Sequence, residues 1–252
     1  MIINKEKYTS DVIIFIHILK TGGQTLHSII EKQYKNNYYI KSPYWMQQGF
    51  SQYLENFDVD EIKRIEVLRG HFHFGVHKYL PQKKCRYMTF LRNPIEQVIS
   101  FFYYTRTRKH HRHYKVLNNM TFDEYIKNEN FNWTTSNVQT RFISGNKHKK
   151  GDFETAKKNL ENYFSIVGIT ERFDESLSLM KKKLGWNIDY YKNKNITKNR
   201  PNINEISNET IDIIKGKNES DIKLYKFANK LLDDQLMPEG YEPPNYWSEL
   251  IL

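Results

Sequence analysis

The chain has 252 residues, 38% hydrophobic and 15% aromatic, and its 39 Lys and Arg against 29 Asp and Glu give a formal charge of +10. With no linker, repeat or composition break it reads as one domain over residues 1–252, long enough to bury a core, and the basic excess asks for an anionic partner: nucleic acid, an anionic cofactor or an acidic polysaccharide. One cysteine, Cys85, excludes an internal disulfide framework and a multi-cysteine metal site, and the lack of any apolar run near 18 residues or leader-like segment predicts a soluble, cytoplasmic protein with no membrane span.

Residues 12–18, VIIFIHI, are almost wholly apolar and predict a buried strand. Lys20-Thr21-Gly22-Gly23 breaks the run, and Leu26, Ile29 and Ile30 then recur at i, i+3 and i+4 as one face of a helix. Strand, glycine turn and helix together aim backbone N–H groups and a positive helix end at one spot, which suits an anion. Lys20 adds a charge there, and Thr21 and Thr25 add hydroxyl donors. The Walker A spacing is absent because the lysine precedes the glycines. The residues alone therefore reach only a phosphate or sulfate cradle, and the two glycines are also compatible with a plain tight turn.

The stretch HILKTGGQTL resembles the 5'-phosphosulfate loop of the PAPS-dependent sulfotransferases, in the branch of the glycan 2-O- and 6-O-sulfotransferases and their bacterial relatives, where it reads HIPKTGG. Leu19 stands where that branch has proline. The resemblance implies that Lys20, Thr21, Gly22, Gly23, Gln24 and Thr25 hold the 5'-phosphosulfate of PAPS (3'-phosphoadenosine 5'-phosphosulfate). Lys20 would also neutralise charge on the bridging oxygen.

Residues 32–57 are rich in Tyr, Asn and Gln and give no periodic signal; their aromatics suit either sugar contacts or packing at a sheet edge. A short helix is predicted over 58–65 and a strand over 66–69. The following GHFHFGVH holds three histidines. Alternation puts His71 and His73 on one face of an extended segment, but no carboxylate lies at ligand spacing and no metal is expected. Imidazole is the side chain best matched to take a proton from a sugar hydroxyl near neutral pH. In the resembled branch a Gly-His after the second strand carries the proposed base, which implies His71. His73 is a candidate either for lining the acceptor site or for packing.

Residues 86–91 predict the next strand. Pro94 suits a first helical turn, and Ile95, Val98, Ile99 and Phe102 give a core stripe. Arg92 then lies at the strand end and Ser100 about two turns down the helix, able to converge on one phosphate. The stretch resembles the branch's 3'-phosphate motif of Arg-Asp-Pro, then Glu-Arg, then Ser. Asn93 and Gln97 replace the usual Asp and Arg, removing one charge of each sign and leaving Arg92 and Ser100.

The basic, histidine-rich stretch 105–115 reads either as a solvated charge run or as a surface for an acidic polymer. A capping box at Thr121–Glu124 predicts a helix over 122–128. NVQTRFISG, 137–145, resembles a segment bearing on the acceptor or cofactor pocket and implies Gln139. Phe153, Ala156 and Leu160 mark a helix, 164–169 a strand, and Phe173, Leu177, Met180 and Leu184 another helix; VGITERF resembles the branch's VG-T-E scaffold. In 193–201 the resemblance implies a basic loop over the cofactor's 3'-phosphate and adenine, with Lys198 and Arg200. Leu224, Ala228, Leu231 and Leu232 predict a final amphipathic helix.

Strands alternating with helices predict an α/β fold of three layers with a central parallel sheet flanked by helices. Ligands bind at the carboxyl ends of such strands, and Lys20, His71 and Arg92 all fall just after them. The resemblance implies a P-loop-like fold and in-line transfer of a sulfuryl group from PAPS to a hydroxyl-bearing acceptor, a glycan or glycoconjugate, with His71 as base and no metal. Two other readings stay open. A kinase using ATP would need Mg²⁺ and an acidic ligand, and no predicted strand ends in Asp. A non-enzymatic binder of nucleic acid or acidic polysaccharide would account for the charge but not for two anion motifs in order.

Overall fold

The computed structural model describes residues 11–34, 39–41, 58–80, 83–145, 152–188 and 200–237. Five parallel strands form one sheet in the order β2-β3-β1-β4-β5: β1 (Asp11–Ile16), β2 (Tyr39–Lys41), β3 (Val67–Gly70), β4 (Lys84–Leu91) and β5 (Phe164–Ile169). Register puts Ile16, the end of β1, beside Gly70 of β3 and Thr89 of β4. The loops that follow these central strands therefore leave the sheet side by side. Successive side chains of β1 point to opposite faces, yet Val12, Ile14, Phe15 and Ile16 have no exposed surface. Both faces are covered, as the apolar run demands of a central parallel strand.

Helix α1 (Gly23–Gln33) follows β1 and buries Leu26, Ile29 and Ile30. Helix α2 (Val59–Arg64) opens on a capping box between Asp58 and Glu61. After β4 come α3 (Pro94–Arg106), α4 (Tyr114–Asn118), α5 (Phe122–Lys127), α6 (Asn132–Thr135), α7 (Val138–Ser144) and α8 (Phe153–Tyr163). After β5 come α9 (Phe173–Leu184), α10 (Asn208–Lys217) and α11 (Glu219–Leu236). One core joins the sheet to α1, α7, α8, α9 and α11. A second gathers the apolar stripe of α3 with Leu117, Tyr125, Ile126, Phe131 and Ile214. Among the described residues no helix is long and apolar enough to cross a membrane.

Several boundaries differ from expectation. The first strand ends at Ile16 rather than Ile18: the His17 N–H still donates to the Gly70 carbonyl (2.9 Å), and beyond it the chain leaves the sheet into a turn. The edge strand β2, three residues long, is too short to show a period. Helices α4, α6, α7 and α10 were not predicted; three of them are shorter than two full turns of amphipathic pattern. The aromatics of 42–57 lie outside the described residues. Cys85 sits part-buried in β4, where burial pushes its thiol up to about 11.

Candidate active site

The turn after β1 is held from inside by three consecutive carbonyls. Thr21 Oγ1 donates to Ile18 (3.1 Å), Gln97 Nε2 to Leu19 (2.7 Å) and Arg92 Nη1 to Lys20 (3.1 Å). A planar trans peptide then points the N–H groups of residues 19–21 the opposite way. These anchors hold Lys20 in the left-handed region at φ 64, which for a residue with a Cβ costs roughly 1–2 kcal/mol. Gly22, also left-handed at φ 78, opens α1 without a side-chain cap, and the first turn carries no acidic residue. The N–H groups of Thr25 and Leu26 return to the Gly22 carbonyl, while those of Gly23 and Gln24 come too early in the helix to have an i−4 acceptor. The positive end of α1 is thus left for an anion. Gly23 must be glycine, because a Cβ there would lie 1.9 Å from Nε2 of His17.

One expectation is corrected here. Thr21 is fully buried and its hydroxyl proton closes the turn on Ile18, so only its main chain can serve a ligand. Thr25 is buried in the first turn of α1, and Gln24 is exposed beside it.

Four cations gather around this turn. The Lys20 ammonium sits 3.4 Å above the Tyr104 ring, and the Arg108 guanidinium lies 5.2 Å from the same ring. Burial first, then the charges of Arg92, Arg108 and Arg200, bring the Lys20 ammonium down to about 7. Arg92 leaves β4 half-buried, with Nη2 on Glu96 (3.1 Å) and Nε 3.7 Å from Glu171. Arg200 meets the same Glu96 carboxylate at 2.6 Å. Ser100 is buried on α3, four residues after Glu96 and so on its face. Asn93 caps α3, its Oδ1 accepting from the N–H groups of Ile95 and Glu96, so replacing the usual Asp keeps the capping oxygen. Lys198 lies outside the described residues.

Gln139 does not face an acceptor pocket. Its Oε1 accepts the Arg92 N–H (2.9 Å) and its Nε2 donates to the Arg92 carbonyl (2.8 Å), with the residue 1% exposed. The expected acceptor contact therefore gives way to a grip on Arg92's main chain.

His71 follows β3 and turns back toward the loop. Its Nδ1 lies 2.5 Å from the His17 carbonyl, and its ring stacks on the His17 ring at 4.2 Å and 27°. A carbonyl only accepts, so Nδ1 carries the proton and Nε2 the lone pair. Burial lowers the His71 imidazole to about 4, against the raising effect of the His17 carbonyl and with the help of Arg69. Burial likewise holds His17 well below its ordinary value, with His71 and Arg69 adding to it. His73 stacks on Phe142 at 4.5 Å, and His77 Nδ1 meets the Tyr87 hydroxyl at 2.8 Å. The three histidines diverge, and among the described residues no group of His, Cys, Asp and Glu is arranged to hold a metal ion.

The profile of the galactose-3-O-sulfotransferase family matches residues 4–242. The chain belongs to that family. Mouse heparan sulfate 2-O-sulfotransferase 1 is 24% identical over 194 residues, covering 69% of this chain and 54% of that protein. The heparin sulfate O-sulfotransferase of Drosophila melanogaster is 26% identical over 131 residues, covering 47% of this chain and 38% of that protein. The chain thus spans about half the length, or less, of these curated relatives. A mouse sulfotransferase complexed with PAP overlays with a TM-score of 0.40 at 14% identity, covering 86% of this chain and 66% of that one; so distant a likeness carries no argument.

In this member of the galactose-3-O-sulfotransferase family, the structure adds residues that sequence patterns did not single out. His17 read as part of a strand, and only its place against Gly23 and His71 gives it a separate role. Gln97 looked like a lost charge and instead anchors the turn at Leu19. Arg108 lay inside a charge run that could equally have been solvated. Glu171, read as scaffold, accepts the Asn93 N–H at 3.1 Å and faces Arg92.

Proposed function

We propose that this chain transfers a sulfuryl group from PAPS to a hydroxyl of a carbohydrate acceptor. The observation that carries this reading is the hydrogen bond from His71 Nδ1 to the His17 carbonyl. It ties a candidate base to the first residue of the anion turn, so the proton acceptor and the anion donors belong to one rigid unit. The residues fit the cofactor. The turn N–H groups, the bare start of α1 and Lys20 suit its 5' end, and Arg92, Ser100 and Arg200 suit its 3'-phosphate. PAPS, when bound, supplies the sulfuryl group and leaves as PAP. His71 stays unprotonated at neutral pH and would take the acceptor's proton at Nε2. Lys20, with its charge set among three arginines, would meet negative charge developing on the leaving side. The family's name and the names of the relatives, galactose and heparan sulfate, support a carbohydrate acceptor.

The test pairs binding with turnover. A nucleotide that binds only the folded state must raise the melting temperature, by the equivalent of about 2.7 kcal/mol at 100 times its Kd. PAP is expected to do so, with the shift much reduced in Arg92→Ala. Transfer of labelled sulfate from PAPS to galactose-terminated or heparan sulfate-type glycans should fall by about 100-fold or more in His71→Ala, with the PAP shift retained. Full activity in His71→Ala would remove its role as base. Stabilisation by ATP–Mg²⁺ and not by PAP would overturn the reading in favour of a kinase.

A further inference from the structure

The last helix of the described chain reaches the anion site through a series of hydrogen bonds joined within Gln139 and Arg92. Asp221, in the first turn of α11, is fully buried. Its Oδ2 accepts the Gln139 N–H (3.0 Å), and its Oδ1 accepts the N–H and the hydroxyl of Thr140, each at 2.6 Å. These are the second and third N–H groups of α7. Helices normally receive this cap from their own N-cap residue. Here that residue, Asn137, makes no such bond and stands in the left-handed region at φ 45; the cap comes instead from a residue 82 positions further along the chain. Asn137 is fastened in turn, its N–H donating to Asn218 Oδ1 (2.9 Å) and its Oδ1 accepting from the Asp221 N–H (3.1 Å).

The line continues through the Gln139 side chain. Its amide takes both main-chain groups of Arg92, at the point where the chain leaves β4. The guanidinium of that arginine then reaches the Lys20 carbonyl in the turn. A buried carboxylate on α11 is thus connected to the anion turn by way of α7 and Arg92.

We propose that Asp221 and Gln139 are positioning residues. By fixing the Arg92 main chain they set its guanidinium for a 3'-phosphate, and so set the preference of the site for a nucleotide bearing that group over one lacking it. This rests on the proposed role of Arg92 at the 3'-phosphate.

The test is calorimetric titration of the full chain with PAP and with adenosine 5'-monophosphate, which differ only in the 3'-phosphate. Thermal melting of each variant is recorded alongside. Wild type should prefer PAP. Gln139→Met should weaken PAP by about tenfold or more and leave the monophosphate within about twofold. In an Arg92→Ala background, Gln139→Met should change PAP affinity no further. Asp221→Asn should show the same selective loss; if it fails to fold, Gln139→Met decides. Equal losses on both nucleotides, or an additive loss in the Arg92→Ala background, would make the pair a packing feature and overturn the proposal. A wild-type protein binding both nucleotides alike would remove the 3'-phosphate assignment itself, and this inference with it.

Discussion

Lys20 holds its charge against both burial and its neighbours. Its ammonium rests on Tyr104 with three guanidinium groups in range, and it is drawn down to about 7. At pH 8 the free protein therefore holds this amine mostly neutral, while a bound polyanion favours the charged form and draws a proton in. Lys20 should contribute close to one proton of uptake on PAP binding at pH 8 and almost none at pH 6, read as the difference between wild type and Lys20→Met in buffers of different ionisation enthalpy, because the phosphates of PAP titrate near pH 6 in both. A pH-independent difference would mean that Lys20 does not sense the bound anion. The sign for the fold is the reverse. Between about 7 and the ordinary lysine value near 10.5 the unfolded chain binds a proton that the folded chain does not, so this residue's contribution to stability rises with pH through that window. Without ligand, the melting temperature of Lys20→Met at pH 6 should be no lower than that of wild type, the mark of a residue kept for binding at the expense of the fold.

At the scale of elements, the junction of β1 and α1 depends on a missing side chain. The His17 ring lies between Phe15 at 5.7 Å and His71 at 4.2 Å, with Gly23 closing the third side. A Cβ at Gly23 would fall inside contact distance of the ring at 1.9, 2.0 and 2.7 Å. The ring cannot yield without leaving its stack. Gly23→Ala should cost about 1–3 kcal/mol in denaturant unfolding and should also lose PAP binding, because the strain falls on the turn itself. A variant of unchanged stability and affinity would show that the stack is adjustable. This junction was legible in the sequence, since an apolar run, two glycines and a helical stripe each carry a local signal. So were β4 and α3, announced by Pro94 and the stripe after it. The clamp from α11 through α7 to Arg92 was not. Its bonds join residues 47 to 82 positions apart through single side chains, and neither Asp221 nor Gln139 breaks a period that would mark it. The edge strand β2 failed for the opposite reason, being too short to have a period at all.

The whole molecule is basic, and it hides several of its histidines. His17, His71, His77, His111 and His113 all lie below the ordinary value, with burial the first cause in each. A histidine lowered on folding contributes stability that is complete above the unfolded value near 6.5 and is lost as pH falls toward the folded one. In that window the unfolded chain takes up protons that the folded chain refuses. The charge of +10 grows over the same range, and its self-repulsion acts in the same direction, so a steep acid loss in wild type alone would not separate the two causes. One substitution separates them. His71→Asn removes a single buried titration, from 6.5 to about 4, while leaving the net charge at neutral pH as it was. Urea unfolding at pH 7, 6 and 5 should show wild-type stability falling faster than that of the variant, by at most about 1.4 kcal/mol per pH unit. Parallel curves would mean that His71 accepts a proton in the folded state near pH 6. It would then be charged, and unfit for the proposed role of proton acceptor, over part of the range around neutral pH.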